Sequence, residues 1–151
     1  MQIKNNQRTV LHFSIMLFIG SLMSDAYCVN DNCNDSASGF MCFITGWIGV
    51  LMGGAAISWL ANPTLLLSWL FFKNKKTLST IFSIISTMFC LSFLMFDEII
   101  VNEAGHYGQI TDYKMGYWFW LLSSASIFLG NIWILYMNKL EKPTANTVYK
   151  T

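Results

Sequence analysis

Charge is scarce in this chain. Asp, Glu, Lys and Arg make up 11% of its 151 residues, against roughly 25% in soluble domains, and 54% are hydrophobic. A soluble domain of this size could not hide so much apolar surface, so the composition points to a membrane protein. The net charge is +1, without the clustered Lys and Arg that neutralise phosphates, which excludes nucleic acid as a partner. Nor does the chain contain a nucleotide-binding glycine loop, a nucleophile elbow or an HExxH pair. Catalysis has no visible carrier, and neither a cofactor nor a metal is expected.

What the chain does hold is a set of long uncharged runs, from Thr9 to Ser24, Phe40 to Phe72, Thr77 to Phe96 and Met115 to Asn138. An apolar run of about 18 residues or more crosses a hydrocarbon core of ~30 Å as a helix. The runs predict an all-α membrane protein in a single domain, with four transmembrane helices in a compact bundle over about 9–27, 40–60, 77–96 and 115–138. The first run follows Lys4 and Arg8, so it also has the form of a signal peptide cleaved near Ser24-Asp25-Ala26. Asp25 at that junction and the length of the apolar region favour a retained span.

The second run is too long for one span. As a single helix, Phe40 to Phe72 would measure ~50 Å at about 1.5 Å per residue. Asn62 and Pro63 supply a helix break, because proline disfavours the α conformation in the residue before it and suits the first position of a new helix, while asparagine caps well. The expectation is a span over 40–60 and a short interfacial helix over 63–72 on the inner side, pinned by Lys73, Lys75 and Lys76. The competing reading is one kinked span from Gly46 to Trp69.

Basic residues fix the orientation. Four alternating spans from a cytoplasmic N-terminus put Lys4, Arg8, Lys73, Lys75, Lys76, Lys139, Lys142 and Lys150 inside, with Lys114 alone outside. The chain is therefore expected in the inner (plasma) membrane, multi-pass, with both termini cytoplasmic. Tyr117, Trp118, Phe119 and Trp120 open the last span on its outer side, where amphipathic rings favour the headgroups.

Small residues recur at helical spacing: Gly46, Gly49, Gly53 and Ala56; Ser79, Ser83, Ser86 and Cys90; Ser123, Ser126 and Gly130. Helices associate in lipid by close backbone approach and interhelical hydrogen bonds, so these stripes are read as packing faces. No acid or base lies within the uncharged runs that form the body of each span, which argues against an ion-coupled carrier. Asn131 and His12 are read as polar ties between helices.

Two loops, about 28–39 and 97–114, face the oxidising side. Cys28 and Cys33 bracket a turn-forming segment, and a disulfide between them is expected. A catalytic dithiol is the rarer use of such a pair, since redox sites commonly have C-x2-C and this chain has C-x4-C. An EF-hand pattern fails here for want of its glycine and distal glutamate. The second loop reads as a hairpin-like flap with arms at Ile99 to Val101 and Gln109 to Thr111. Its Glu103, His106, Tyr107 and Tyr113, with Tyr117 beyond, are the candidates for contact with a protein partner, tyrosine being enriched at interfaces.

The segments GWIGVLMGGAAISWLANPTLLLSWL, DEIIVNEAG and ITDYKMGYWFWLLSS resemble a group of small bacterial inner-membrane proteins that share a WLANP break and a GYWxW-type opening of the last helix. The resemblance implies a four-span architecture and no activity. The expected function is non-enzymatic: binding another membrane or periplasmic protein, as an accessory subunit or an immunity-type protector. A thiol oxidoreductase using Cys28 and Cys33, and a small-molecule channel or carrier, are the alternatives.

Overall fold

A computed structural model describes residues 2–102 and 104–141, with side chains over 7–33, 37–102 and 104–139. In chain order the elements are α1 (Gln2–Leu22), β1 (Asp25–Val29), β2 (Asn32–Ser38), α2 (Gly39–Val50), a 3-10 helix (Gly54–Leu60), α3 (Ala61–Phe71), α4 (Lys76–Ser92) ending in a 3-10 turn (Phe93–Met95), β3 (Glu98–Ile100), β4 (Tyr107–Tyr113) and α5 (Met115–Glu141). The fold is mostly helical but carries a small antiparallel sheet, so the all-α expectation is corrected.

Among the described residues, three helical stretches are long and apolar enough to cross a membrane: Gly54–Phe71, Lys76–Met95 and Met115–Lys139. The first of these gains length from its mixed geometry. Seven residues of 3-10 helix at ~2.0 Å and eleven of α-helix at ~1.5 Å reach ~30 Å, the thickness of a hydrocarbon core.

Serine side chains fix how the helices meet. α1 lies antiparallel to α5, where Ser14 and Ser123 bond each other and Gly130 admits the Val10 side chain. On its other side α5 meets α4, through Ser86 with Ser124 and through Asn131, whose Nδ2 donates to Ser79 Oγ at 2.9 Å. α4 meets α3 at Ser68 and Ser79. Trp69 closes the ring, its Nε1 donating to Ser14 Oγ at 3.0 Å while its indole packs on Phe18. Phe18, Leu65, Phe72, Ile127 and Ile134 fill the middle.

The chain reverses in the second run at Gly53 and Gly54, with φ of +85° and +62°; beside Asn62-Pro63 the 3-10 helix ending at Leu60 passes directly into α3 without a reversal. Glycine enters such conformations at least cost, so the chain reverses there. Pro63 sits in the first turn of α3, where a missing N–H is tolerated. Asn62 is 5% exposed and accepts a hydrogen bond from Trp120 Nε1 at 2.9 Å, so it is an interhelical tie and not a cap.

As a result α2, expected as the core of a span, is the short element instead. Its 12 residues reach only ~18 Å. Gly39 N–H donates to Ser24 O at 2.9 Å, and Gly49 faces Ala56 beside the cluster of Ala55, Phe93 and Tyr117. Both ends of α2 thus lie at the sheet end of the bundle, and the helix crosses that end. The expected interfacial helix over 63–72 is the lower half of the Gly54–Phe71 stretch.

The sheet has strand order β2-β1-β4-β3, antiparallel throughout. Asn30 and Asp31, with φ of +52° and +60°, make the two-residue turn between β1 and β2, the conformation that matches strand twist and that Asn and Asp adopt readily. Asn30 Oδ1 accepts from Gln109 N at 2.9 Å, which seats this turn on β4. The two loops expected to face outward are therefore one structure.

Candidate functional site

Between the sheet, α2 and the 3-10 segment lies a cavity of about 530 Å³. Tyr27, Cys42, Trp59, Asn62, Tyr117 and Trp120 are among its walls. Glycines let the walls approach: a Cβ on Gly46 would fall inside the Trp59 indole, and Trp59 Nε1 donates to Phe43 O at 2.9 Å, which fixes the ring across α2. Tyr117 OH donates to Cys90 O at 3.1 Å. Cys42 Sγ lies 3.9 Å from Tyr27 OH. Burial first, and Cys42 second, push the Tyr27 phenol above its ordinary range.

Above the cavity, Cys28 and Cys33 form a disulfide that ties β1 to β2. Cys28 is fully buried. The two sulfurs and an Asp112 carboxylate oxygen lie within 4.8 Å of one another, yet a disulfide offers no thiolate to a metal, and Asp112 pairs with Lys114 at 3.1 Å. Cys42 and Cys90 are free, and Cys90 is enclosed against Ser124 Oγ at 3.5 Å.

The expected partner-binding residues separate. His106 and Tyr107 are exposed at the β3–β4 turn, where Asn102 Oδ1 accepts from His106 N at 3.1 Å. Tyr113 instead packs under the sheet, 5.9 Å from the Phe93 ring and 4.9 Å from that of Tyr117, which is only 2% exposed. Burial, and after it the Asp97 charge, raise the Tyr113 phenol. Glu103 lies outside the described residues.

The packing stripes also divide. Ser79, Ser83, Ser86 and Ser123 are fully buried between helices, and Gly130 meets Val10. Ser126 is half-buried and bonds within its own helix to Ser123 O. Gly46, Gly49 and Ala56 pack α2 onto the neighbouring 3-10 segment, not onto another long helix. Around Gly53 the space is open, so its role is the turn. His12 is exposed and ties nothing inward, whereas Asn131 is fully buried among serines. Ser14, Ser68 and Ser124, equally buried, were not legible as contacts, because a serine inside an apolar run carries no mark of which face it occupies.

Charge is polarised along the bundle. Arg8, Lys73, Lys75 and Lys139 lie at the end away from the sheet, and Asp25, Asp31, Asp97, Glu98 and Asp112 at the sheet end. No family model, curated protein or solved structure matches the chain.

Proposed function

We propose that the chain is a four-span integral membrane protein, crossing through α1, the Gly54–Phe71 stretch, α4 and α5, with both termini on the cytoplasmic side of the inner membrane. It resembles the small WLANP-bearing inner-membrane proteins in this plan. The support is an inverted partition of side chains. Ser14, Ser68, Ser79, Ser83, Ser86, Ser123, Ser124 and Asn131 are buried, whereas Met16, Leu70, Met88 and Leu129 are 71, 69, 65 and 62% exposed. Buried polar groups and exposed apolar ones are the informative departures from a soluble fold, and lipid turns both into the favourable arrangement. Apart from Lys114, which pairs with Asp112 at the sheet end, the described bases at one end and the acids at the other agree with cytoplasmic retention of Lys and Arg.

In that setting the sheet is an outward platform. Its work is non-enzymatic binding of a membrane or periplasmic protein, as an accessory subunit or an immunity-type protector. The observation that carries this is the construction of the sheet: two loops distant in sequence are paired into one rigid surface, stapled by Cys28 and Cys33, with Tyr107 56% exposed at its far turn. A photo-crosslinking side chain at position 107 should give one discrete adduct in cells, absent when the same group replaces lipid-facing Leu70. A protein that yields no adduct from 107 and always purifies alone in mild detergent would refute the partner reading.

A further inference from the structure

The cavity under the sheet has a mouth and an interior of the same chemistry. Met41, Ile48, Met52 and Val101 belong to its lining and are all exposed, so hydrocarbon rims the opening. Inside, most of the bulky polar groups of the wall are already bonded to protein: Trp59 Nε1 to Phe43 O, Trp120 Nε1 to Asn62 Oδ1, Tyr117 OH to Cys90 O, and Ser58 Oγ to Ser92 Oγ at 3.0 Å, leaving Tyr27 OH with only the Cys42 thiol at 3.9 Å. What faces the space is mainly carbon. A volume of about 530 Å³ is that of a small-molecule site. A polar solute would lose its hydration here and find few open partners.

The position selects among apolar occupants. If the chain sits in the bilayer as proposed above, on which this inference rests, α2 crosses the sheet end of the bundle at the outer headgroup boundary. Its exposed Phe40, Met41, Ile44, Trp47 and Ile48 then lie where acyl chains begin, as an interfacial helix does. The rim opens onto lipid and not onto water. We infer that the cavity holds a hydrocarbon chain of an outer-leaflet phospholipid, which enters between α2 and β3 and lies against Trp59.

The test uses the full chain in phosphatidylethanolamine and phosphatidylglycerol vesicles carrying a trace of phospholipid with a diazirine near one acyl terminus. After irradiation, adducts should map to Cys42, Met52 and Trp59 as well as to the outer faces at Met88 and Leu129. In Thr45→Trp, a bulky ring at an exposed lining position, the first set should fall to background while the second persists and so reports an intact fold. Adducts at Met88 and Leu129 alone in the unaltered protein, or lining adducts that ignore Thr45→Trp, overturn the site. Labelling nowhere overturns the membrane reading and this inference with it. A native mass spectrum of the released protein should retain a diacyl phospholipid, and retention of a free fatty acid instead would overturn phospholipid as the source.

Discussion

Ser68 and Ser79 bond each other reciprocally, each hydroxyl donating to the other's backbone carbonyl, at 3.0 and 2.9 Å. Ser14 and Ser123 repeat the arrangement between α1 and α5, at 2.9 and 2.8 Å. Both pairs need the two backbones close, which a serine allows and a leucine would not. The bundle is thus held by short polar contacts between its helices around a small apolar centre of Phe18, Leu65, Phe72, Ile127 and Ile134, while other large apolar side chains such as Met16, Leu70, Met88 and Leu129 are turned outward.

Removing these hydroxyls should cost unequal amounts. Ser68→Ala should destabilise by about 0.6 kcal/mol, near the mean for interhelical hydrogen bonds in a membrane. Ser79→Ala should cost about twice that, since Ser79 Oγ also accepts from Asn131 Nδ2. Reversible unfolding in mixed micelles measures both, and equal losses would remove Asn131 from the network.

Two glycines should fail for different reasons. Gly46→Ala drives a methyl into Trp59, an overpacking worth about 2 kcal/mol, and Trp59→Leu should relieve it. Gly53→Ala meets open space but is strained at φ +85°, also by about 2 kcal/mol, and Trp59→Leu should not help. Pro63→Ala should be milder than either. Thermal unfolding of these variants would show whether the turn lies at Gly53 as described.

Single cysteines map the sides. In a Cys42→Ser, Cys90→Ser background, an impermeant maleimide applied from outside should label Tyr107→Cys and Leu51→Cys, and should reach Lys75→Cys only after the membrane is opened. Leu51 decides between two geometries: mid-bilayer if α2 were the upper half of a span, outer boundary if it crosses the sheet end. Protection of Leu51→Cys alongside labelled Tyr107→Cys would restore the span over 40–60.

The disulfide should act as a staple. Closing so short a loop, with a sequence separation of 5, is worth about 2 kcal/mol by the chain-entropy relation. Cys28→Ser with Cys33→Ser should lower stability by about that amount and leave the Tyr107 crosslink at full yield under stabilising conditions. An oxidoreductase would instead lose its activity entirely in that variant, whatever its stability.

Stability should decline in alkali. The Tyr27 and Tyr113 phenols are raised above their ordinary value of 10.0, chiefly by burial. A raised folded pKa means a contribution that is complete below the unfolded value and lost as pH climbs toward the folded one. The loss should therefore begin near pH 10.0, and Tyr27→Phe with Tyr113→Phe should flatten the profile. An unchanged profile would place these rings in water.

The cysteine pair and the hairpin character of the second loop were legible because turn residues act locally: Asn30-Asp31 and Gly105 set backbone geometry within a few positions. The pairing of β1 with β4 was not, since Cys28 and Asp112 are brought opposite by the ends of α1 and α5. Tyr107 and Tyr113 look alike in sequence, yet strand β4 carries one to the exposed turn and half-buries the other against Phe93 and Tyr117.

Sequence alone determined the greasy, charge-poor composition, the gathering of most bases and most acids into different connecting segments, and the serine periodicity of α4, because hydropathy and charge are summed along a chain whatever its fold. Tertiary structure decided which half of the Phe40 to Phe72 run is long enough to cross and what space that leaves under the sheet. Those depend on where the backbone turns, and Gly53-Gly54 and Asn62-Pro63 were both able to turn it. Packing of Asn62 against Trp120, and of Gly46 against Trp59, selected the first.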